Sequence, residues 1–146
     1  MNEYPSELDL LCALCSDAGR LEHVAETPLW ENAPVTGALE LRFEVMSLWI
    51  TVDSEFDTIL LHTSLPDGID FPPRQIPHAF WNKCIGKSVR WAWLMTNQKC
   101  YTDGIRFEFG NLNSPDPIVI DILAIASGLS FSIATAVDDI HSSSRI

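Results

Sequence analysis

Four cysteines are the residues of this 146-residue sequence that could bind a metal ion or form a redox pair. Cys12 and Cys15 are separated by two residues, which is the spacing of half a zinc site. Cys84 and Cys100 could complete a four-thiolate site, but the gap of 68 residues between the two halves is not a recognised spacing. Because Cys12 and Cys15 lie at helical spacing with neighbouring leucines, packing is the favoured interpretation. We predict reduced, metal-free thiols and no cofactor.

Histidine can act as a general base where a carboxylate orients it and its pKa lies near neutrality. His62 ends a predicted strand beside an acidic turn, so it is the candidate base of a small hydrolase. None of the four histidines lies in a nucleophile motif such as G-x-S-x-G. The segment Gly86-Lys87-Ser88 resembles the end of a phosphate-binding loop, but Trp81 stands where that loop needs its first glycine. We therefore predict no catalytic residues and a protein that is not an enzyme.

The acidic residues are concentrated in one half of the chain. Residues 1–70 carry fourteen acids and two bases, a net charge of −12, whereas residues 71–146 carry a net charge of +1. The total of −11 argues against nucleic acid or a membrane as a partner. The pattern either keeps the domain soluble or steers a basic protein partner to an acidic face. For the second alternative, the candidate partner-binding residues are Glu40, Glu44, Asp53, Glu55 and Asp57.

A second candidate group lies in the region that is rich in tryptophan. Trp91 and Trp93 share one face of a predicted strand, and we expect that face to be core, with an exposed recognition surface as the alternative. Glu108 either forms an ion pair with Arg90 or Arg106, or contacts a partner. The full set, structural or binding, is Trp91, Trp93, Asn97, Tyr101, Asp103, Gly104 and Glu108.

The elements that must position these residues begin with one helix. The spacing of apolar residues predicts a helix over about 6–18, with Ser6 as its N-cap and Gly19 at its end. From residue 38 the hydrophobic period changes to two, which indicates strands. The polar segment 53–57 predicts the turn of a first hairpin.

Two further hairpins are expected. Asp103-Gly104 predicts a type I′ turn with Gly104 at positive φ, and Ser127-Gly128 predicts the turn of the third hairpin. The pattern indicates the α+β class, in which the N-terminal helix packs on an antiparallel sheet of about six strands built from hairpins. We expect a single domain over residues 1–146, with the sheet over about 38–135 and a flexible tail over 138–146.

The segment from Trp91 to Phe109 resembles a family of small, uncharacterised bacterial proteins. Its pattern is close to W-x-W-x-x-T-N-Q-x-x-Y-x-D-G followed by a hydrophobic strand, and Cys100 stands where that family more often has glycine. The resemblance covers roughly residues 36–125, including the turn at Asp53. It implies a small α+β domain with no established activity. Members are similar in size and character to the immunity proteins encoded beside secreted toxins, which is a likeness of class only.

These observations favour a binding protein over an enzyme. The leading hypothesis is an immunity-type inhibitor that occludes a basic toxin domain through an acidic face. The alternative is a stand-alone protein-interaction or regulatory domain, and a small hydrolase is the less favoured third hypothesis. Since the first five residues have neither the basic nor the apolar region of a secretory signal, we expect a cytoplasmic protein.

Overall fold

A computed structural model of the chain describes residues 6–69, 72–75, 79–111 and 117–134. These residues form two helices and nine strands, eight of which are five residues or longer. In chain order the elements are α1 (Glu7–Asp17), β1 (Leu21–Pro28), β2 (Thr36–Phe43), β3 (Ser47–Asp53), β4 (Thr58–His62), β5 (Arg74–Gln75), α2 (Ala79–Asn82), β6 (Ser88–Thr96), β7 (Thr102–Gly110), β8 (Ile118–Ile125) and β9 (Gly128–Ile133).

The predicted N-terminal helix is confirmed. The Ser6 hydroxyl accepts a hydrogen bond from the backbone N–H of Asp9 at 3.1 Å, and the Asp9 carboxylate accepts one from the backbone N–H of Ser6 at 3.4 Å. This reciprocal capping box satisfies two donors that a helix N-terminus otherwise leaves open. Gly19 follows the helix at φ +82°, a conformation that glycine adopts without steric cost. The buried side chains of α1 are Leu10, Leu11 and Leu14.

The strands form one antiparallel sheet in the order β4-β3-β2-β9-β8-β7-β6. Strand β1 pairs with the remaining edge of β2 and with β5. A bridge between Arg20 and Ser88 joins the start of β1 to β6, so the sheet curls on itself. Helix α1 packs against β6 and β4, the two end strands of that order. The α+β class is therefore confirmed, but the predicted count of about six strands is too low.

The undercount has a local cause. At the end of β1, the five consecutive residues Val24 to Pro28 are all buried, so both faces of the strand are covered there. For this reason its sequence shows no period of two. Alternation alone therefore predicts that the sheet starts at residue 38, although it begins at Leu21. The two-residue strand β5 lies in the proline-rich connection and has no pattern of its own.

The core lies between the two halves of the curled sheet and α1. Cross-strand register aligns Leu39 with Ile50 and Ile50 with Leu61 in one half. In the other half it aligns Ile105 with Ile122. The largest fully buried side chain is Trp81, which packs edge-to-face on Phe109 at 6.3 Å between ring centroids. In both halves, apolar side chains alternate along the strands and point into the core. The opposite side of the sheet points away from the core, and we call it the outer face.

Two predicted turns are displaced in the structure. Asp103-Gly104 lies inside β7 rather than in a turn, and Gly104 does not have positive φ. A Cβ on Gly104 would lie 2.7 Å from Met95 Cε and from Leu123 Cδ2, so crowding between strands is the reason for glycine there. The chain reverses direction over residues 97–101 instead.

The third hairpin turns at Ala126-Ser127, one residue earlier than predicted, and Gly128 already pairs with Ile125. A Cβ on Gly128 would clash with Val35 Cγ1, so glycine again marks a close approach of two segments. The short helix α2 follows the connection after β5, at Ala79–Asn82, and the predicted flexible tail lies outside the described residues. Within the described ranges, no helix combines the length and apolar character that crossing a membrane requires.

Candidate functional site

Three hairpin turns that are far apart in sequence meet in the structure. In the β3–β4 turn, Asp57 Oδ1 accepts a hydrogen bond of 2.8 Å from the backbone N–H of Ser127 in the β8–β9 turn. In the same β3–β4 turn, the ring of Phe56 packs on the ring of Tyr101 in the β6–β7 turn, with centroids 5.4 Å apart. We call residues 53–57, 97–101 and 126–127 together the three-turn surface. It unites the predicted acidic turn with the second half of the tryptophan-containing motif.

The β6–β7 turn is organised by one side chain. Asn97 Oδ1 accepts hydrogen bonds from the backbone N–H groups of Lys99 at 2.9 Å and Tyr101 at 3.3 Å. The Asn97 amide in turn donates to an Asp103 carboxylate oxygen at 3.3 Å. Cys100, where the resembling family more often has glycine, adopts φ +67°. The tight turn therefore forms without glycine, and Asn97 and Asp103 have structural roles in it.

Positive φ at residues other than glycine is concentrated around this surface. Of the described residues, five adopt it: Asn32, Asp57, Cys100, Ala126 and Ser127. Four of the five belong to the three-turn surface, and the fifth lies in the β1–β2 loop. The left-handed conformation costs an L-residue roughly 1–2 kcal/mol, less for Asn and Asp. Backbone strain of this kind is enriched at binding and active sites.

The five predicted partner-binding carboxylates do not form one face. Asp53, Glu55 and Asp57 lie together in the β3–β4 turn, and Asp53 caps it by accepting from the backbone N–H of Glu55 at 3.0 Å. Glu44 lies at the other end of β3, about 20 Å away at the usual rise per residue. Glu40 is buried and forms an ion pair of 3.5 Å with Arg42. Glu40 and Glu44 lie along the β2–β3 hairpin, away from the acidic turn. They therefore do not form one face with it.

Trp91 and Trp93 lie on the outer face of the sheet, with 60% and 45% of their surfaces exposed. The expectation that they belong to the core is wrong. A bulge between Val89 and Trp91 shifts the alternation of β6 by one residue. Val89 is buried, and beyond the bulge the core-facing residues are Ala92 and Leu94 instead of the tryptophans.

Paired charges accompany this outer face. Glu108 lies 3.9 Å from Arg90, which is one of the two ion pairs expected from the sequence. Arg106 instead binds Asp121 through two hydrogen bonds of 2.7 and 2.9 Å. The hydrogen bonds and the negative charge of Asp121 raise the pKa of Arg106. Asp121 was not singled out from the sequence, because only the β7–β8 register places it opposite Arg106.

The acidic turn at 53–57 does not supply His62 with the carboxylate partner that a general base needs. The acidic turn precedes β4 whereas His62 ends it, about 13 Å along the strand, so the predicted arrangement is wrong. Its Nε2 is 2.9 Å from the hydroxyl oxygen of Thr51. Burial lowers the pKa of His62, and the negative charge of Glu7 opposes that shift in part. The imidazole is thus half-buried beside Thr51 and not beside the acidic turn.

The four thiols are dispersed. Cys12 is exposed and Cys15 half-buried on α1, Cys84 is buried after α2, and Cys100 is exposed in the β6–β7 turn. Burial raises the pKa of Cys84 to about 12, against the smaller opposing effect of Lys87. Among the residues whose placement is described, no three His, Cys, Asp or Glu side chains are grouped to hold a metal ion.

A groove of about 600 Å³ lies between the β1–β2 loop and the β8–β9 hairpin. Sequence reasoning missed it, although the segment Trp30-Glu31-Asn32 places a large aromatic residue in a polar turn. Two of its walls come from segments almost a hundred residues apart, so no local pattern reveals it. The lining residues are Leu29, Trp30, Pro34, Val35, Thr36, Ile125, Ala126, Leu129, Ser130 and Phe131.

An ion pair between a buried carboxylate and a half-exposed arginine fixes the β1–β2 loop beside the groove. Glu26, only 2% exposed, lies 3.1 Å from Arg74 Nε and accepts a hydrogen bond from the Thr36 hydroxyl. Arg74 also donates to the carbonyl oxygen of Ala33 at 2.6 Å. Because a buried carboxylate needs every available partner, this network holds the loop in one position.

Comparison with known proteins adds one finding. Residues 15–138 match a family described as "Family of unknown function (DUF6334)". The chain belongs to this family. Neither the curated proteins nor the solved structures that were searched contain a match.

Membership in DUF6334 agrees with the resemblance to an uncharacterised family and assigns no activity. The matched residues include all three turns of the three-turn surface and both walls of the groove.

Proposed function

We propose that this member of DUF6334 is a non-enzymatic binding protein whose three-turn surface docks a basic protein partner. Its most specific form is the immunity-type inhibitor, which would cover a basic toxin domain. The observation that supports the proposal is the junction of an acidic turn with an exposed aromatic pair. Phe56 and Tyr101 contact each other there, and Asp57 ties their turns to Ser127.

The composition of the surface suits protein binding. Aromatic side chains bury much area at little cost in conformational entropy, and they are frequent among the residues that dominate interface energies. Phe56 is 47% exposed, and Glu55 beside it is exposed, with no hydrogen bond to its carboxylate from any residue that the structure describes. Free carboxylates of this kind steer a basic partner and raise its association rate.

The turns are already held in place before a partner binds. The hydrogen bond from Ser127 to Asp57 joins two of the turns, and the two hydrogen bonds that Asn97 accepts fix the third. A rigid surface loses less conformational entropy on association, which favours affinity. The alternative of a stand-alone interaction or regulatory domain uses the same surface and differs only in the partner.

The experiment starts from a partner captured from the native host and identified by mass spectrometry. The purified partner is then tested for its association rate with the wild-type chain and with two charge reversals. Glu55→Lys lies on the three-turn surface, and Glu22→Lys is the matched control, an exposed glutamate of β1 outside that surface. We expect Glu55→Lys to slow association about three- to tenfold, and Glu22→Lys much less, with both rates falling as salt rises.

Equal slowing by the two reversals would contradict the assignment of the surface, because only total charge would then matter. A partner that is not basic, or an association rate independent of salt, would contradict the proposed chemistry. For the immunity hypothesis, the wild-type chain must inhibit the captured partner's toxic activity at a ratio of one to one. The variant Phe56→Ser must inhibit more weakly in proportion to its lost affinity.

A further inference from the structure

The groove adjoins the three-turn surface directly. Ala126 lines the groove, and its neighbour Ser127 is the residue that Asp57 binds. A partner that covers the three-turn surface would therefore also cover the mouth of the groove. Continuity of the two surfaces makes the groove part of the same contact area.

The groove leads from an exposed rim to the core. Trp30 and Ile125 line it with more than half of their surfaces exposed, whereas Leu129 is buried. Its volume lies within the range of about 300–1,000 Å³ that holds small ligands in proteins. It is thus an open groove that is large enough to receive apolar side chains.

The polar groups of the lining are few. The Thr36 hydroxyl donates to the buried carboxylate of Glu26, so its proton is not available to a ligand. Ser130 offers the remaining side-chain hydroxyl of the lining residues. An occupant must therefore be largely apolar, since a polar one would lose its water without replacement hydrogen bonds.

The charges around the groove are negative, apart from Arg74, which is paired with Glu26. Glu31, which is exposed, follows Trp30 in the β1–β2 loop, and Asp57 accepts a hydrogen bond from Ser127 in the β8–β9 turn. An apolar segment that carries basic residues on both sides matches this combination of apolar lining and acidic surroundings. Basic flanks would face the carboxylates while the apolar side chains enter the groove.

We infer that the groove is the anchor pocket for a short apolar segment, flanked by lysine or arginine, of the basic partner. The inference rests on the proposed function, which it makes more specific. In protein interfaces, anchor residues are large apolar side chains that fill a pocket on the other protein. The groove is such a pocket in this inference. The three-turn surface then supplies steering and the groove supplies most of the lasting affinity.

The test uses synthetic peptides and chemical-shift titration of the ¹⁵N-labelled full chain. The probes are the capped hexapeptides KKLLKK, KKSSKK and GGLLGG. Two variants on one hairpin form a matched pair: Ile125→Lys places a charge at the groove, and Ile133→Lys places the same charge on an exposed isoleucine outside the lining.

We expect KKLLKK to bind at least tenfold more tightly than either other peptide and to shift the amide signals of the groove residues. Ile125→Lys should remove that advantage, and Ile133→Lys should keep it. If KKSSKK binds as well as KKLLKK and Glu55→Lys weakens both, the anchor pocket is refuted while the proposed function stands.

If GGLLGG binds as well as KKLLKK, the groove takes free apolar ligands and the basic flanks are refuted. If Ile125→Lys and Ile133→Lys weaken KKLLKK equally, the peptide does not enter the groove. If no lysine-containing peptide binds at millimolar concentration, both the anchor pocket and the attraction of basic segments are overturned.

Discussion

The β8–β9 turn gives the sharpest test of the structure. Two residues, Ala126 at φ +51° and Ser127 at φ +68°, connect the paired residues Ile125 and Gly128. Positive φ at both positions of a two-residue hairpin loop defines a type I′ turn, for which Asn-Gly is the preferred sequence. Ala-Ser is a poor sequence for it, so the turn stores strain that substitution can remove.

The magnitude follows from the two opposing effects of glycine. Ser127→Gly removes a left-handed strain of roughly 1–2 kcal/mol and adds about 0.5–1 kcal/mol of backbone entropy cost. The hydrogen bond to Asp57 survives, because its donor is the backbone N–H of residue 127. We expect a net gain of about 0.5–1 kcal/mol in the free energy of unfolding. Ala126→Asn should also raise the free energy of unfolding, but by a smaller amount.

The assay is urea denaturation followed by tryptophan fluorescence, with a thermal scan in parallel. For a chain of this size, each 1 kcal/mol corresponds to about 3 °C in Tm, and the urea slope should stay constant. Asp57→Ala is the opposite control, because it leaves a backbone donor without its acceptor at a cost of about 1–3 kcal/mol. A Ser127→Gly variant that is no more stable than wild type would refute the turn geometry.

Three further outcomes follow from burial and close contact. Trp81→Ala should cost about 3–5 kcal/mol in chemical denaturation, whereas Trp93→Ala, on the outer face, should cost about 1 kcal/mol; equal losses would contradict the β6 bulge. Gly128→Ala should destabilise by about 1–3 kcal/mol because its Cβ would clash with Val35, and unchanged stability would refute that contact. The Cys84 thiol, with a pKa of about 12, should resist a thiol reagent at pH 8 until the protein unfolds, and rapid native-state labelling would contradict its burial.

The sequence predicts those elements that depend on residues close to one another along the chain. The capping residues of α1 and the polar segment 53–57 lie within a few positions of the structures they specify, and both predictions are confirmed. The single bulge in β6 reversed the faces assigned to Trp91 and Trp93, since a period of two carries no information about where it is interrupted. Glycine was misleading for a related reason: at Gly104 it marks crowding between strands, not a turn.

The candidate site was predictable only in parts. The acidic turn and the residues around Asn97 were each visible in the sequence, but the contact between Phe56 and Tyr101 joins positions 45 residues apart and depends on how the sheet curls. The groove depends on a still longer separation, between the β1–β2 loop and the β8–β9 hairpin. Hydrophobic patterns identify which face of a strand is buried, and they do not identify which turns become neighbours.

The strain in the three-turn surface links its stability to its proposed role. Cys100, Ala126 and Ser127 each hold a left-handed conformation that a single change to glycine or asparagine would relax, so the existing residues do not maximise stability. At Ala126 the proposed anchor pocket supplies a geometric reason, because Ala126 lines the groove and a larger side chain would fill part of the volume that the proposed ligand needs. The two substitutions in this turn should therefore differ in their effect on peptide binding. Ser127→Gly should stabilise the chain and leave binding of the KKLLKK peptide unchanged, whereas Ala126→Asn should stabilise the chain and weaken binding. Loss of peptide binding in Ser127→Gly alone would mean that the serine hydroxyl contacts the ligand, and that the groove extends into the turn.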